Sequence, residues 1–223
     1  MTALRTVTLS HARVRLALHL LREAEGRPLL MLHGLGERTP TDVPRYLAAW
    51  PGPIWGLDLT GHGSSTLPLG GGYTCEVLMA DVDHALAHLG EATVVGRGLG
   101  AYIALLISGS RPTLVAGAIL ADGPGLAGGG PSPHSPATAR LERSSQTPDI
   151  YAQVELARDV RPPDYATNYA RQALEFSGLD APVTVVASAR PPWLAAVVDE
   201  PGVAASTLPD ALRRYWDAVR SPV

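Results

Sequence analysis

The chain has 223 residues, 46% of them hydrophobic, enough for one sizeable core and tight for two domains. Its 18 Lys and Arg against 21 Asp and Glu leave a net charge of −3 with no basic block, which argues against nucleic acid as a partner. The one cysteine, Cys75, can form neither an internal disulfide nor a multi-cysteine metal site, so a reducing, cytoplasmic setting is expected, with no metal or cofactor.

The first 21 residues alternate polar and apolar positions and carry charges throughout, which reads as strands rather than a secretion signal. "RTVTLS" and "RVRLALHLL" predict an antiparallel hairpin turning near Ser10-His11-Ala12. The rhythm then changes to short, nearly continuous apolar runs at 28–33, 53–59, 92–96, 114–122 and 181–188, the pattern of buried parallel strands. Helices are expected between them at 42–50, 74–89 and 99–110. Alternating strand and helix predict an α/β fold with a mostly parallel central sheet flanked by helices. No apolar run approaches the ~20 residues of a membrane span.

Residues 123–149 break the pattern, because glycine, proline and serine dominate there. Two helical segments are expected next, near 150–160 and 164–177, before the chain returns to strand. Residues 123–180 therefore read as a reduced cap within one domain spanning 1–223. A last strand near 203–206 leads into a helix opened by Pro209 and Asp210.

Three motifs in order resemble the α/β-hydrolase superfamily: "LLMLHGLGE" (29–37), "GLDLTGHGSS" (56–65) and "VVGRGLGA" (94–101). The resemblance covers nearly the whole chain and implies about eight strands, with a short cap between the sixth and seventh. It also implies that the amides of Leu35 and Leu99 form an oxyanion hole beside His33 and Gly34. The third motif occupies the place of the nucleophile elbow, G-x-S-x-G, but its middle residue is Gly98. Glycine takes a strained backbone conformation without steric penalty, so the turn can persist after the nucleophile is gone.

The family's histidine belongs after the last strand, yet none of the seven histidines (His11, His19, His33, His62, His84, His88 and His134) lies in 135–223. Where an acid is expected after the seventh strand, the chain reads Ala187-Ser188-Ala189-Arg190, with Asp199 and Glu200 as distant substitutes. Cys75 reads as a small buried hydrophobe, and Ser64, Ser65 and His62 as parts of a structured loop. His84 and His88, four apart on one helix, read as a solvated face rather than a metal pair. Asp122, at a strand's carboxyl end, is a candidate pocket acid. Arg97, where the family often has histidine, could bind an anion or form an ion pair.

The catalytic set is therefore empty, and the ligand-contacting candidates are His33, Gly34, Leu35, Arg97, Gly98, Leu99 and Asp122. The leading reading is an inactive hydrolase homologue that binds a small carbonyl- or carboxylate-bearing ligand or a protein partner. The alternatives are an enzyme, esterase-like or non-hydrolytic, using displaced residues with the backbone oxyanion hole, and a purely structural protein with a filled pocket.

Overall fold

The computed structural model describes residues 5–11, 13–132 and 145–218, with the backbone alone at His11. His134 and part of the Gly/Pro/Ser-rich stretch lie outside the described residues. Eight strands, numbered along the chain, form one sheet. The hairpin β1 (Arg5–His11) and β2 (Val14–Arg22) is antiparallel, as its alternation predicts, and β2 joins β4 (Ile54–Asp58) antiparallel as well. From β4 through β3 (Leu29–Leu32), β5 (Ala92–Arg97), β6 (Val115–Ala121), β7 (Val183–Val185) and β8 (Val203–Ala205), every pairing is parallel.

Both faces of the parallel strands are covered, which explains their continuous apolar runs. One face packs against α1 (Cys75–Leu89), α2 (Leu99–Ser110), α3 (Ile150–Arg158), α4 (Pro163–Phe176) and α5 (Pro192–Val198). Helix α2 is its centre, buried from Leu99 to Gly109. The opposite face packs Met31, Val95 and Ile119 against Leu47 and Trp50 and against Leu212 and Tyr215 of α6 (Leu208–Asp217). Helices α3 and α4 fall between β6 and β7, where the sequence pattern places them.

Two elements differ from expectation. The helix foreseen over 42–50 is only a 3₁₀ turn, Arg45–Leu47. Pro44 and Pro51 turn the residues before them away from helical geometry, leaving too short a run between them for a stable helix. Helix α5 is not foreseen. It is a short helix opened by Pro191-Pro192, and the burial of Trp193, Leu194 and Val197 fixes it.

Two glycines bring the central strand and helix together. A Cβ on Gly96 would overlap the Gly100 carbonyl, and one on Gly100 would stand 2.7 Å from the carbonyl oxygens of Leu32 and His33. In an open helix, Gly→Ala gains about 1 kcal/mol. Here the collision is with backbone that cannot yield. Gly100→Ala is expected to lower stability by about 1–3 kcal/mol net, read from the urea midpoint.

Candidate ligand-binding site

At the carboxyl end of β5 the chain turns sharply through Gly98 (φ 59°, ψ −120°) into α2. Its amide donates to the Ala121 carbonyl at 3.0 Å, tying the turn to the end of β6. The segment after β6 then crosses the turn. The Pro124 carbonyl accepts from the Leu35 amide at 3.0 Å and from the Leu99 amide at 2.9 Å. These are the two amides expected to receive a ligand oxygen. A Cβ on Gly98 would overlap that carbonyl and lie 2.6 Å from the Gly123 carbonyl carbon, so only glycine fits beneath the crossing segment.

Buried polar contacts hold the crossing segment. Arg161 is 1% exposed and donates through Nη1 to the carbonyls of Gly125 (2.7 Å) and Leu126 (2.6 Å). Its guanidinium lies 4.6 Å from the centre of the Tyr102 ring on α2. Trp193 of α5 donates to the Leu126 carbonyl at 2.8 Å and meets Tyr102 edge-on. Cys75 lies buried alongside, its Sγ 3.9 Å from Arg161 Nη2, and burial pushes its thiol pKa well up. It packs as the small hydrophobe the sequence suggests. Arg161 was not foreseen: an arginine before two prolines gives no sign that it will be buried.

The histidines of the first two motifs structure their loops. His33 Nε2 accepts from the Leu59 amide, so its Nδ1–H donates to the Gly34 carbonyl. His62 Nε2 accepts from the Gly36 amide and its Nδ1–H donates to the Thr60 carbonyl. Both rings are neutral by this arrangement. Burial lowers both pKa values, His62 to about 4. Gly34 donates to Glu37 Oε2, and Glu37 Oε1 pairs with Arg97 Nη1 at 2.9 Å. Of the two roles open to Arg97, the ion pair is present.

Two buried aspartates anchor the same loops. Burial pushes the Asp58 carboxyl up, but the His19 ring and the amides of Ser64 and Thr39 outweigh it and hold it at about 2. His19 Nε2 meets Asp58 Oδ2 at 3.0 Å and its Nδ1 meets the Thr6 hydroxyl at 2.9 Å, a hydroxyl–imidazole–carboxylate chain that the sequence did not reveal. Asp81 of α1 accepts from the amide and hydroxyl of Thr60, yet burial raises its pKa to about 7.

Asp122 stands just past the carboxyl end of β6, and both its oxygens accept backbone amides, from Ser188 (2.6 Å) and Ala189 (3.0 Å). Burial opposes its ionisation, and the two amides with Arg190 outweigh that and lower its pKa. Glu200 is paired with Arg171 through both oxygens. His84 bonds the Ala80 carbonyl, and the His88 ring meets Trp55 edge-on. Among the described residues, no group of three His, Cys, Asp or Glu side chains could hold a metal ion.

The family model for the alpha/beta hydrolase family matches residues 29–223. The chain belongs to the alpha/beta hydrolase family. A comparison with curated proteins found no match. Among solved structures, a thioesterase domain from the curacin biosynthetic pathway is similar at a TM-score of 0.65 and 16% identity, covering 97% of this chain and 96% of that one. A hypothetical protein from Pseudomonas aeruginosa PAO1 gives 0.63 and 16%, covering 96% and 93%. An N-formylmaleamic acid deformylase from Pseudomonas putida S16 gives 0.60 and 12%, covering 91% and 92%. At such identities the likeness is one of fold.

One feature of this alpha/beta hydrolase family member lies beside the elbow, on the α6 side of the sheet. A cavity of about 380 Å³ opens there between the ends of β3, β5 and β6, Tyr46 and the start of α6. Arg97 and Asp122 stand at its edge. A second cavity of about 360 Å³ continues past Tyr46 and Arg97 to Arg38. Of the candidate residues, Arg97 and Asp122 meet at the first cavity; His33 lines the second but is 1% exposed, with both ring nitrogens engaged. Among the described residues, no helix is long and apolar enough to cross a membrane.

The loop histidines give the protein a defined pH response. Their depressed native pKa values mean stability is complete above the unfolded value of about 6.5 and is lost as pH falls toward the native values. Asp81, with its raised pKa, acts in the opposite sense between about 7 and the unfolded 3.9. Two protons against one leave a net loss on acidification. Urea midpoints at pH 7.5 and 5 should show it, with a slope of up to ~1.4 kcal/mol per pH unit for each uncompensated proton. His62→Gln should flatten the dependence and Asp81→Asn should steepen it.

Proposed function

We propose that this protein is a non-hydrolysing member of its family that works as a binding module for a small ligand or a protein partner. One observation carries the reading: the Pro124 carbonyl takes both the Leu35 and Leu99 amides directly over Gly98. In a serine hydrolase those amides must be free for the oxygen that becomes negative in the transition state. Here a substrate carbonyl would have to displace a loop anchored by buried Arg161 and Trp193. Gly98 offers no nucleophile, residues 135–223 contain no histidine, and both oxygens of Asp122 are engaged by backbone. The single buried Cys75 is in keeping with a cytoplasmic setting.

A second reading, an enzyme with displaced residues, draws on the Thr6–His19–Asp58 chain, whose connectivity matches a nucleophile, base and orienting acid. Against it, the same Asp58 oxygens hold the amides of Thr39 and Ser64, the work of a structural anchor.

Fluorophosphonate labelling and short-chain aryl esters separate the two readings. No adduct and no turnover above background are expected; turnover abolished by His19→Ala would establish the second reading in place of the first. Restoring the missing side chain should not restore activity. Gly98→Ser would push its Cβ into the Pro124 carbonyl from a backbone conformation that disfavours side chains, so a destabilisation on the order of 3 kcal/mol is expected, without esterase activity.

A further inference from the structure

The cavity beside the elbow has its own chemistry. Two shortenings open it: the segment after β3 forms only a 3₁₀ turn, and β8 passes to α6 across Ser206 and Thr207 alone. Met31, Val95, Ala121, Val186 and Leu208 make its walls, and about 380 Å³ lies within the roughly 300–1,000 Å³ usual for small-molecule sites. Tyr46 is its one aromatic wall, so the lining suits an aliphatic body rather than a stacked ring.

The polar end is short of acceptors. Glu37 has one oxygen on the Gly34 amide and the other on Arg97, and Asp122 has both oxygens on amides with Arg190 nearby. The donors are less occupied. Among the described residues, Arg97 has Glu37 as its ion-pair partner through Nη1, which leaves Nε and Nη2. The Tyr46 hydroxyl has the Met31 thioether at 4.0 Å. Arg38, exposed at the far end of the adjoining cavity, takes part in none of these pairs and is the surplus charge of the groove. An incoming group that brings acceptors and one negative charge completes this set, and a planar carboxylate matches the free edge of a guanidinium.

We propose that this groove binds an aliphatic monocarboxylate, its chain between Met31, Val95, Val186 and Leu208 and its carboxylate against Arg97, Tyr46 and Arg38. The proposal deepens the small-ligand part of the reading above and rests on it. The site is separate from the two amides that Pro124 occupies, so binding needs no movement of the loop over Gly98.

Calorimetric titration of the whole protein with octanoate and with octanamide tests it. Octanoate should bind one to one, and octanamide, equal in chain but uncharged, about tenfold more weakly or worse. Arg97→Gln should weaken octanoate by about tenfold while leaving octanamide little changed, and Val186→Phe, which fills the groove, should abolish both. Equal affinity for the two ligands, no octanoate binding, or full binding to Val186→Phe would each overturn the proposal. These outcomes are independent of ester turnover: turnover removes the non-hydrolysing reading while the groove's affinity is still measured, and a failed titration removes the carboxylate alone.

Discussion

The carbonyl of Pro124 joins three segments that are far apart in sequence. By accepting from Leu35 and Leu99 it ties the loop after β3 to the first turn of α2 and lays the segment after β6 across both. The amide at the start of α2 lacks an intrahelical partner, and the loop amide would otherwise be an unpaired donor at a partly buried position. One carbonyl satisfies both. In this chain a side chain at position 98 would occupy the space the carbonyl needs, which glycine leaves open.

Around that contact, the histidines and carboxylates of the loop motifs bind backbone groups. His33 and His62 spend both ring nitrogens on backbone groups of adjacent loops. Asp58 gathers two amides and an imidazole, and Asp81 fastens the Thr60 end of the following loop to α1. Arg161 does the same for the segment over the elbow, at the expense of burying a guanidinium. Two carbonyls and the face of Tyr102 receive it, while Nε has no hydrogen-bond partner among the described residues. With those groups committed to holding loops, the open space moves to the α6 side of the sheet. There a truncated helix and a short strand-to-helix connection leave apolar strand ends and basic side chains in contact with solvent.

Most of the fold was legible in the chain itself. Apolar runs of strand length, the hairpin's alternation and the glycines at 96, 98 and 100 are local signals, and each appears where the pattern places it. The structure departs from the pattern where a local signal is overruled. Prolines cut the 42–50 helix to one turn, and α5, which is short and opens at Pro191-Pro192, shows its apolar face only against the core. Arg97 ends β5 and Asp122 follows β6, positions that the apolar runs before them make legible, whereas the pairing of Arg97 with Glu37 depends on a loop from another strand.

By itself the sequence carried the order of the strands, most of the helices, the resemblance to the family and the residue at the elbow, because these lie in apolar runs and motifs along single segments. Tertiary structure alone decided which carbonyl lies over Gly98, which arginine is buried and where the open cavity falls. Each of those depends on groups brought together across the sheet: Pro124 with Leu35, Arg161 with Leu126, Tyr46 with Val186. No spacing within one segment encodes such a meeting, since it exists only once the strands have paired.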